Sequence, residues 1–145
     1  VRFSYGVSEK QFYNYVKKAL VVKKGAPTEK LSESLERRLD NVVYRLGLAN
    51  SRALARQMVA HGHFVVKGKR VTVPSYNTSV GDVISIREGS RSKALFQNLD
   101  TRLKNYTSPN WLSFDIAKGE AVVKALPNQP ESYLDYNAVI EFYSR

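Results

Sequence analysis

The segment NSRALARQMVAHGHFVVKGKRV, residues 50–71, concentrates side chains that can hold an anion. Arg52 and Arg56 are four residues apart, so on a helix they project from one face. Arginine pairs with phosphate oxygens through two parallel hydrogen bonds, and its planar group also stacks on bases. Five more basic side chains follow before the segment ends: His61, His63, Lys67, Lys69 and Arg70. This composition predicts a surface that binds phosphate groups, and a solvated, positively charged helix face is the alternative.

A second group of polar side chains lies just upstream, in RRLDNVVYRLG. Arg38 and Arg45 are seven residues apart, which is about two helical turns, and Asn41 lies between them. We expect these three side chains to project together from a face beside a leucine stripe. Ser51 would cap the following helix, whose first backbone amides would add donors for an anion. If the two helices pack side by side, their exposed flanks would form one basic surface.

The formal charge of the chain is +10, and it is unevenly distributed. Residues 1–71 contain 15 Lys and Arg against 5 Asp and Glu, whereas residues 72–145 contain 8 of each. The whole excess therefore belongs to the first half. Such asymmetry favours one face that meets a polyanion, either a nucleic acid or, less favoured, an anionic membrane. A general bias toward solubility is the alternative.

Composition argues against several classes of site. The chain has no cysteine, which removes disulfides, cysteine-based zinc sites and thiol nucleophiles. No apolar run approaches the roughly 18 residues of a membrane span, and no signal-peptide pattern opens the chain. The two histidines and the scattered carboxylates do not compose a metal site or a catalytic triad. We therefore expect no enzyme activity, no cofactor and no metal.

Three helices are predicted ahead of the first hairpin. In GVSEKQFYNYVKKALVVKKG, Ser8 and Gln11 have the spacing of a capping box, and Gly25 is a plausible stop. A second helix follows residue 27 and ends at Gly47. Its apolar stripe recurs at helical spacing: Leu31, Leu35, Leu39, Val42, Val43 and Leu46. The third helix begins at residue 50 or 51, where either side chain is a good cap.

Beyond residue 62 the apolar period changes from 3.6 to 2, which predicts strands. HFVVKGKRVTV is typical of a strand, a turn at Lys67-Gly68 and a second strand. Lys67 would have to accept a positive φ in a two-residue turn, so a three-residue loop with a bulge is equally possible. We expect a third strand over residues 80–87, a helix over 90–106, a second hairpin over 111–126, and a short helix after residue 130. This order predicts an α+β fold with an antiparallel sheet.

These motifs together resemble a known family. LERRLDNVVYRLGLANSRALARQMVAHGHFVVKGKRVTVPSYNTSVGDVISI is similar to the RNA-binding domain named after the fourth protein of the small ribosomal subunit. Outside it, YGVSEKQFYNYVKKA, RSKAL, NWLSFD and VIEFYSR resemble the bacterial or organellar ribosomal protein family itself, so the match covers nearly the whole chain. The family usually has an N-terminal arm, sometimes with a cysteine zinc knuckle. This sequence shows no counterpart of that arm, so its RNA contacts and any metal cannot be carried over to this chain.

The resemblance implies a small helical subdomain at residues 1–32, completed by residues 130–145. It would pack on a second subdomain, residues 33–129, that holds an antiparallel sheet and an RNA-binding motif of two helices and a hairpin. The implied function is a structural constituent of the small ribosomal subunit, in the cytoplasm or an organelle. It would bind a multi-helix junction of small-subunit ribosomal RNA and help to nucleate assembly. Its partners would be neighbouring small-subunit proteins and nearby messenger RNA where that RNA enters, with no membrane.

The matching motifs carry the family's RNA contacts onto particular residues. Lys10 and Gln11 would contribute from the helical subdomain. Tyr5 could stack on a base, although burial is the commoner outcome for such a tyrosine. The other expected contacts lie in the helix pair and the hairpin: Arg38, Asn41, Arg45, Ser51, Arg52, Arg56, His61, Lys67, Lys69 and Arg70.

Three other interpretations stay open at the level of sequence. RLD at residues 38–40 is similar to the motif in which pseudouridine synthases place a catalytic aspartate, but their catalytic domain is longer than everything that follows here. We interpret Asp40 instead as a helix-surface partner of Arg37 or as a group that orients its neighbours. A stand-alone RNA-binding factor could use the same module without the flanking motifs. A scaffold with no RNA function would bind RNA weakly and without salt dependence.

Overall fold

The computed structural model describes residues 5–21 and 27–127. The chain divides into two compact units between Arg37 and Arg38, and residues 38–126 form the second unit. We expected a boundary after residue 32, and that assignment of domains stays a prediction. The proposed return of residues 130–145, the tail helix and the stop at Gly25 lie outside the described residues.

The described residues of the first unit include the helices α1 (Glu9–Val21) and α2 (Pro27–Glu36). The predicted capping box at the start of α1 is confirmed. Ser8 Oγ accepts a hydrogen bond from the Gln11 amide at 3.2 Å, and Gln11 Oε1 accepts one from the Ser8 amide at 3.4 Å. Among the described residues of this unit, the buried apolar side chains form one cluster: Tyr5, Val7, Phe12, Val16, Ala19, Leu31 and Leu35.

The second predicted helix is wrong as a single element, because the chain breaks after α2 and resumes as α3 (Leu39–Arg45). Arg38 is extended, with φ −59° and ψ 140°, and forms an isolated antiparallel bridge with Asn77. The amides of Leu39 and Asp40 donate to backbone carbonyls of the loop at residues 74–76. That loop therefore supplies partners for first-turn amides of α3 that have none within the helix.

The helices α3 and α4 (Arg52–Ala60) end in the same way. A glycine with positive φ follows each one, Gly47 at +83° and Gly62 at +80°. In both places the glycine amide bonds to the carbonyl three residues earlier, and the next amide bonds five residues back. This is the Schellman arrangement, which satisfies terminal carbonyls. Ser51 Oγ accepts from the Leu54 amide at 3.0 Å, so the predicted stop at Gly47 and cap at Ser51 are confirmed.

Five antiparallel strands form one sheet in the order β2-β1-β3-β5-β4. Their bounds are β1 Phe64–Val66, β2 Lys69–Val71, β3 Val83–Ile86, β4 Leu112–Asp115 and β5 Glu120–Val123. Lys67 and Gly68 both have positive φ, 52° and 80°, which is the two-residue primed turn and not the bulged loop. Both hairpins, the third strand and the α+β class are confirmed.

The helix predicted over residues 90–106 is wrong. This segment forms 3₁₀ turns at Glu88–Ser90 and Ala94–Phe96 and then one short helix, α5 (Leu99–Arg102). Asn98 has a left-handed φ of +58°, which a continuous right-handed helix excludes. Ser90 and Phe96 are both buried. The backbone therefore turns to place these side chains in the core, at the expense of regular helical bonding.

The second unit has its own hydrophobic core, built from α3, α4, the sheet and the segment before β4. Burying each large apolar side chain contributes roughly 1.5–3 kcal/mol, and the cluster includes Leu39, Val42, Val43, Leu46, Ala55, Met58, Val59, Phe64, Ile84, Ile86, Phe96, Leu112 and Val123. Within the described ranges, each helix is too short or too polar to cross a membrane.

Candidate nucleic-acid interface

Arg52, the first residue of α4, is held in place by two neighbours on α3. Its Nε donates to Asn41 Oδ1 at 2.9 Å, and its guanidinium carbon lies 4.5 Å from the centre of the Tyr44 ring. Asn41 is only 1% exposed, so the amide that orients Arg52 is fixed in the core. Because the hydrogen bond and the ring together restrict the rotamer of Arg52, the start of α4 presents a cation in a defined direction.

The expectation that Arg38 and Asn41 project outward is wrong, since both are buried. Arg38 pairs with Asp40 through two hydrogen bonds, Nε to Oδ1 and Nη2 to Oδ2, each 3.1 Å long. Asp40 was expected either to pair with Arg37 or to orient its neighbours, and Arg37 lies 3.7 Å from Glu33. Removing either member of a buried pair leaves an uncompensated charge. Loss of either Arg38 or Asp40 is therefore expected to destabilise the break before α3, and Asp40 is buried in this pair and not exposed to a substrate.

Three arginines of the helix pair keep part of their surface in solvent: Arg45 on α3 and Arg52 and Arg56 on α4. Arg52 and Arg56 are one turn apart on the same helix, as predicted. Arg45 lies with its guanidinium carbon 5.8 Å from the centre of the Tyr44 ring. Half-buried arginines cover apolar surface with their stems and keep their charged heads in water. We call these three residues the helix-pair arginines.

The hairpin lysines differ in their surroundings. Lys67 Nζ lies 3.2 Å from Oδ1 of Asp82, a carboxylate that is 2% exposed. The hydrogen bond to Asp82 raises the pKa of Lys67, with a smaller electrostatic contribution from the same carboxylate. Lys67 therefore connects the turn to Asp82, just before β3, and this carboxylate neutralises part of the lysine's charge. Lys69 is exposed on β2 and makes no ion pair with the described residues.

Arg70 and Arg87 converge on one backbone carbonyl at the end of α4. The Nε of Arg70 lies 3.0 Å and that of Arg87 lies 3.1 Å from the carbonyl oxygen of Gly62. Cations at the C-terminal end of a helix interact favourably with its dipole. In the described part of the chain neither guanidinium has a carboxylate partner. The two groups therefore form a cationic pair whose remaining N–H groups can bind an anion.

The two histidines have different environments. His61 is exposed at the end of α4, whereas His63 is 8% exposed, with its Nδ1 2.8 Å from Ser90 Oγ. Burial lowers the pKa of His63, and the neighbouring cations His61, Arg87, Lys93 and Arg70 lower it further. His63 is therefore a neutral core side chain near neutral pH. Of the two histidines, only His61 faces solvent.

The predicted contacts in the first unit divide into exposed and buried side chains. Lys10 is exposed on the first turn of α1, and Gln11 is exposed while its side-chain oxygen takes part in the capping box. Tyr5 is 1% exposed, and its hydroxyl donates to Glu36. Stacking of Tyr5 on a base is therefore wrong, and the burial alternative is correct.

Sequence reasoning missed two arginines of the second half, Arg87 and Arg102. Equal numbers of acidic and basic residues after position 71 concealed them. The compact unit at residues 38–126 holds 14 Lys and Arg against 6 Asp and Glu. Counting charge within that unit, and not within halves of the chain, would have shown a basic domain. Tyr44 was also missed, because a tyrosine beside an apolar helix stripe is usually a core residue.

This arrangement suits the binding of phosphates and planar groups. It combines arginines that are fixed by carbonyl or amide partners with an aromatic ring beneath one of them. Over residues 5–21 and 27–127, no group of three or more His, Asp and Glu side chains could hold a metal ion. The direct contacts expected of Lys10, Gln11, Arg45, Ser51, Arg52, Arg56, His61, Lys67, Lys69 and Arg70 stay predictions.

Comparison with known proteins adds an independent finding. The family model described as the S4 domain matches residues 37–84, which span α3, α4 and the first hairpin. The small ribosomal subunit protein uS4A of Alkaliphilus oremlandii is 48% identical over 143 residues, covering 97% of this chain and 68% of that protein. Protein uS4 of Halothermothrix orenii is 44% identical, covering 100% of this chain and 70% of its own. Protein uS4 of Chloroflexus aurantiacus is 45% identical, with 99% and 71% covered.

Proposed function

This chain belongs to the uS4 family of small ribosomal subunit proteins, and from that premise we propose that it binds small-subunit ribosomal RNA through its helix pair and first hairpin. The family consists of structural proteins of the ribosome and not of enzymes. The S4 domain, an RNA-binding domain, covers the part of the chain that carries these elements. The chain is therefore a ribosomal protein whose S4 domain supplies the RNA-binding surface.

The orientation of Arg52 is the observation that supports this surface most strongly. Its contacts with buried Asn41 and with the Tyr44 ring hold the guanidinium before any ligand arrives. A side chain that is ordered in advance loses less conformational entropy on binding. Contacts between arginine and phosphate fix the register of a protein on a nucleic acid. Arg52 would therefore act as the anchor, with Arg45 and Arg56 binding adjacent phosphates.

The hairpin would extend the same interface. Lys69 is exposed on β2, and the Arg70–Arg87 pair sits at the end of α4. Cations on several elements suit an RNA that is folded in three dimensions better than they suit a single straight helix. The major groove of double-stranded RNA is too narrow for side chains to enter, so recognition there depends mostly on shape and backbone. A multi-helix junction of the ribosomal RNA fits this requirement.

The wider role follows from binding of this kind. A protein that recognises a folded junction stabilises it by mass action, because it binds the folded RNA and not the open RNA. The chain would therefore bind early and help to nucleate assembly of the small subunit. We place it next to other small-subunit proteins, near the path by which messenger RNA enters the ribosome.

A stand-alone RNA-binding factor is the alternative function. Such a factor would need the S4 domain, residues 37–84, and no more of the chain. The relatives match 97% or more of the chain at 44–48% identity, and the match includes the helical unit and the second hairpin. This extent favours the ribosomal constituent.

The salt dependence of RNA binding tests the proposed interface. Each phosphate neutralised releases a counterion, so log K falls linearly with log salt concentration. Arg52→Ala and Arg56→Ala are each expected to weaken binding to a small-subunit RNA fragment and to reduce this slope by about one. Arg91→Gln is the matched control, because Arg91 is bound to the Lys118 carbonyl, away from the helix pair in sequence. Unchanged slopes for both alanine variants would contradict the assignment.

A further inference from the structure

A groove of about 500 Å³ lies within the second unit, between the end of α3 and the segment after α5. Its lining includes Tyr44 and Arg45 from α3, Asn50 from the loop that follows, and Arg102 and Tyr106 from the far wall. Among the described residues, no Asp or Glu contributes to this lining. Sites for small ligands have volumes of roughly 300–1,000 Å³. The groove therefore has room for one compact ligand, and its charge favours an anion.

Gly47 forms part of the groove and lies close to the side chains of the far wall. Gly47 has a φ of +83°, and a Cβ placed on it would lie 2.8 Å from Leu103 Cδ2 and 3.0 Å from the Tyr106 ring. A larger residue would therefore displace the far wall. The Tyr106 hydroxyl donates to the carbonyl oxygen of Arg45, which joins the two walls. Burial raises the pKa of Tyr106, so the hydroxyl stays protonated and keeps donating.

The cations of the groove are also held by the fold. Arg102 Nη1 donates to the Leu95 carbonyl at 2.8 Å, and its Nη2 donates to the Leu48 carbonyl at 3.3 Å. No carboxylate pairs with Arg102 in the described part of the chain, so its charge stays uncompensated. Arg52, one of the helix-pair arginines, lies over the ring of Tyr44, which lines the groove. A negatively charged ligand would therefore complete a site whose walls already exist.

The remaining groups suit a planar ligand with hydrogen-bonding edges. Tyr106 is 44% exposed, which leaves ring surface for stacking. Asn50 is exposed, and its side-chain amide makes no hydrogen bond within the described residues. An amide offers one acceptor and two donors, which match the edges of nucleobases. Unstacked bases in RNA are commonly bound by aromatic rings and arginine planes.

We propose that this groove holds one unpaired nucleotide of the bound RNA, with the base against Tyr106 and Asn50 and the phosphate beside Arg102. The proposal rests on the proposed function, because the nucleotide belongs to the same ribosomal RNA. It adds a base-contacting pocket to a surface that otherwise contacts phosphates. The site would give the protein a preference for a junction that carries an extruded base.

Ultraviolet cross-linking of the full 145-residue chain to its RNA fragment tests the pocket without any substitution. Peptide mapping is expected to find a base attached to Tyr106. Cross-links confined to other residues, in a complex that does form, would overturn the pocket and leave the proposed function intact. A wild-type chain that fails to bind the fragment would contradict the proposed function itself.

Substitution at the exposed ring provides a second measurement. Tyr106→Ala is expected to weaken RNA binding by about five-fold to a hundred-fold, the range for loss of one stacked base. Its salt slope should stay unchanged, because no charge is removed. Tyr106→Phe keeps the ring and should recover most of the lost affinity. Arg91→Gln, outside the groove, should bind like wild type.

The same variants separate stacking from folding. Thermal unfolding of Tyr106→Ala and Tyr106→Phe reports whether loss of the hydroxyl bond to Arg45 destabilises the unit. If the alanine variant is folded and binds the RNA as tightly as wild type, the pocket is wrong. If phenylalanine fails to restore affinity in a folded protein, the ring is not a stacking surface and the proposal is equally overturned.

Discussion

At the scale of single residues, the binding surface depends on side chains that do not themselves face the ligand. Asn41 is buried and orients Arg52, while the buried Arg38–Asp40 pair supports the start of α3. The sequence pattern identified these residue types correctly but assigned them an exposed position. A helical spacing of seven residues shows which side chains share a face in a continuous helix. It cannot show that the backbone breaks at the first of them.

The coupling between Asn41 and Arg52 is testable by a double-mutant cycle. Arg52→Ala and Asn41→Ala are each expected to weaken RNA binding, because the second releases Arg52 from its fixed direction. Together they should cost less than the sum of the two, with an interaction energy of roughly 0.5–3 kcal/mol. The comparison cycle pairs Asn41→Ala with Lys69→Ala, which share no hydrogen bond, and should be additive. Additivity in both cycles would show that Asn41 does not position Arg52.

His63 predicts a specific pH dependence of stability. Its pKa is lowered below 6.5 in the folded protein, chiefly by burial. The unfolded chain therefore binds a proton at higher pH than the folded chain does. The stabilising contribution is complete above pH 6.5 and is lost as pH falls through the folded pKa.

Chemical denaturation between pH 7.5 and pH 5.5 measures this contribution. The free energy of unfolding of the wild type should fall as the solution is acidified. His63→Asn, which does not titrate and can still bond to Ser90, should show a shallower fall. Parallel pH profiles for the two proteins would contradict the assignment of this dependence to His63.

At the scale of elements, the sequence predicted what local chemistry determines and missed what tertiary contacts determine. Gly47, Ser51 and the Lys67-Gly68 turn were predicted because capping and turn residues act within a few positions. The break at residues 37–38 was missed because the leucine stripe continues through it. Leu35 belongs to the core of the first unit and Leu39 to that of the second, although they are one turn apart in spacing.

The segment at residues 88–106 is a second place where tertiary contacts, and not the local sequence pattern, determine the backbone. Its leucines have helical spacing, yet the backbone forms two 3₁₀ turns and one short helix. The bond of buried Ser90 to His63 and the packing of Phe96 against His63 and Phe64 depend on residues far away in the chain. Periodicity carries no information about such partners. Arg102, which belongs to this segment, was therefore missed as a candidate ligand group.

Substitutions at Gly62 and Gly68 provide a matched test of how the end of α4 holds Arg70. Gly62 and Gly68 both have a φ of +80°, but a Cβ on Gly62 would lie 2.3 Å from Arg70 Nη2, while Gly68 has open space around it. Gly68→Ala should lose about 1–2 kcal/mol from left-handed strain alone. Gly62→Ala should lose more, because Arg70 must also leave the Gly62 carbonyl.

Denaturant titration of both variants measures the difference. Gly62→Ala is also expected to weaken RNA binding more than Gly68→Ala, since it displaces a proposed phosphate ligand. Equal losses of stability would show that the Arg70 contact contributes nothing at this position. Equal losses of RNA affinity would remove Arg70 from the interface.

At the scale of the whole molecule, the positive charge of the second unit and the family assignment both indicate RNA binding. The compact unit at residues 38–126 carries 14 basic and 6 acidic residues, and two of those acidic residues, Asp40 and Asp82, are already paired with cations. The uS4 relatives match the chain along nearly its full length. A domain of this charge binds RNA in part without regard to sequence. We therefore expect selectivity to come from the shape of the RNA and from the proposed nucleotide groove.

The most direct test is binding of the full chain, without other ribosomal proteins, to a fragment of small-subunit ribosomal RNA that contains the junction. An unstructured RNA of equal length serves as the control, and both are titrated across a salt series. We expect tight binding to the junction that weakens as salt rises, with clearly weaker binding to the control at every salt concentration. Equal binding to the two RNAs would contradict recognition of a folded junction and would leave only a generic basic surface.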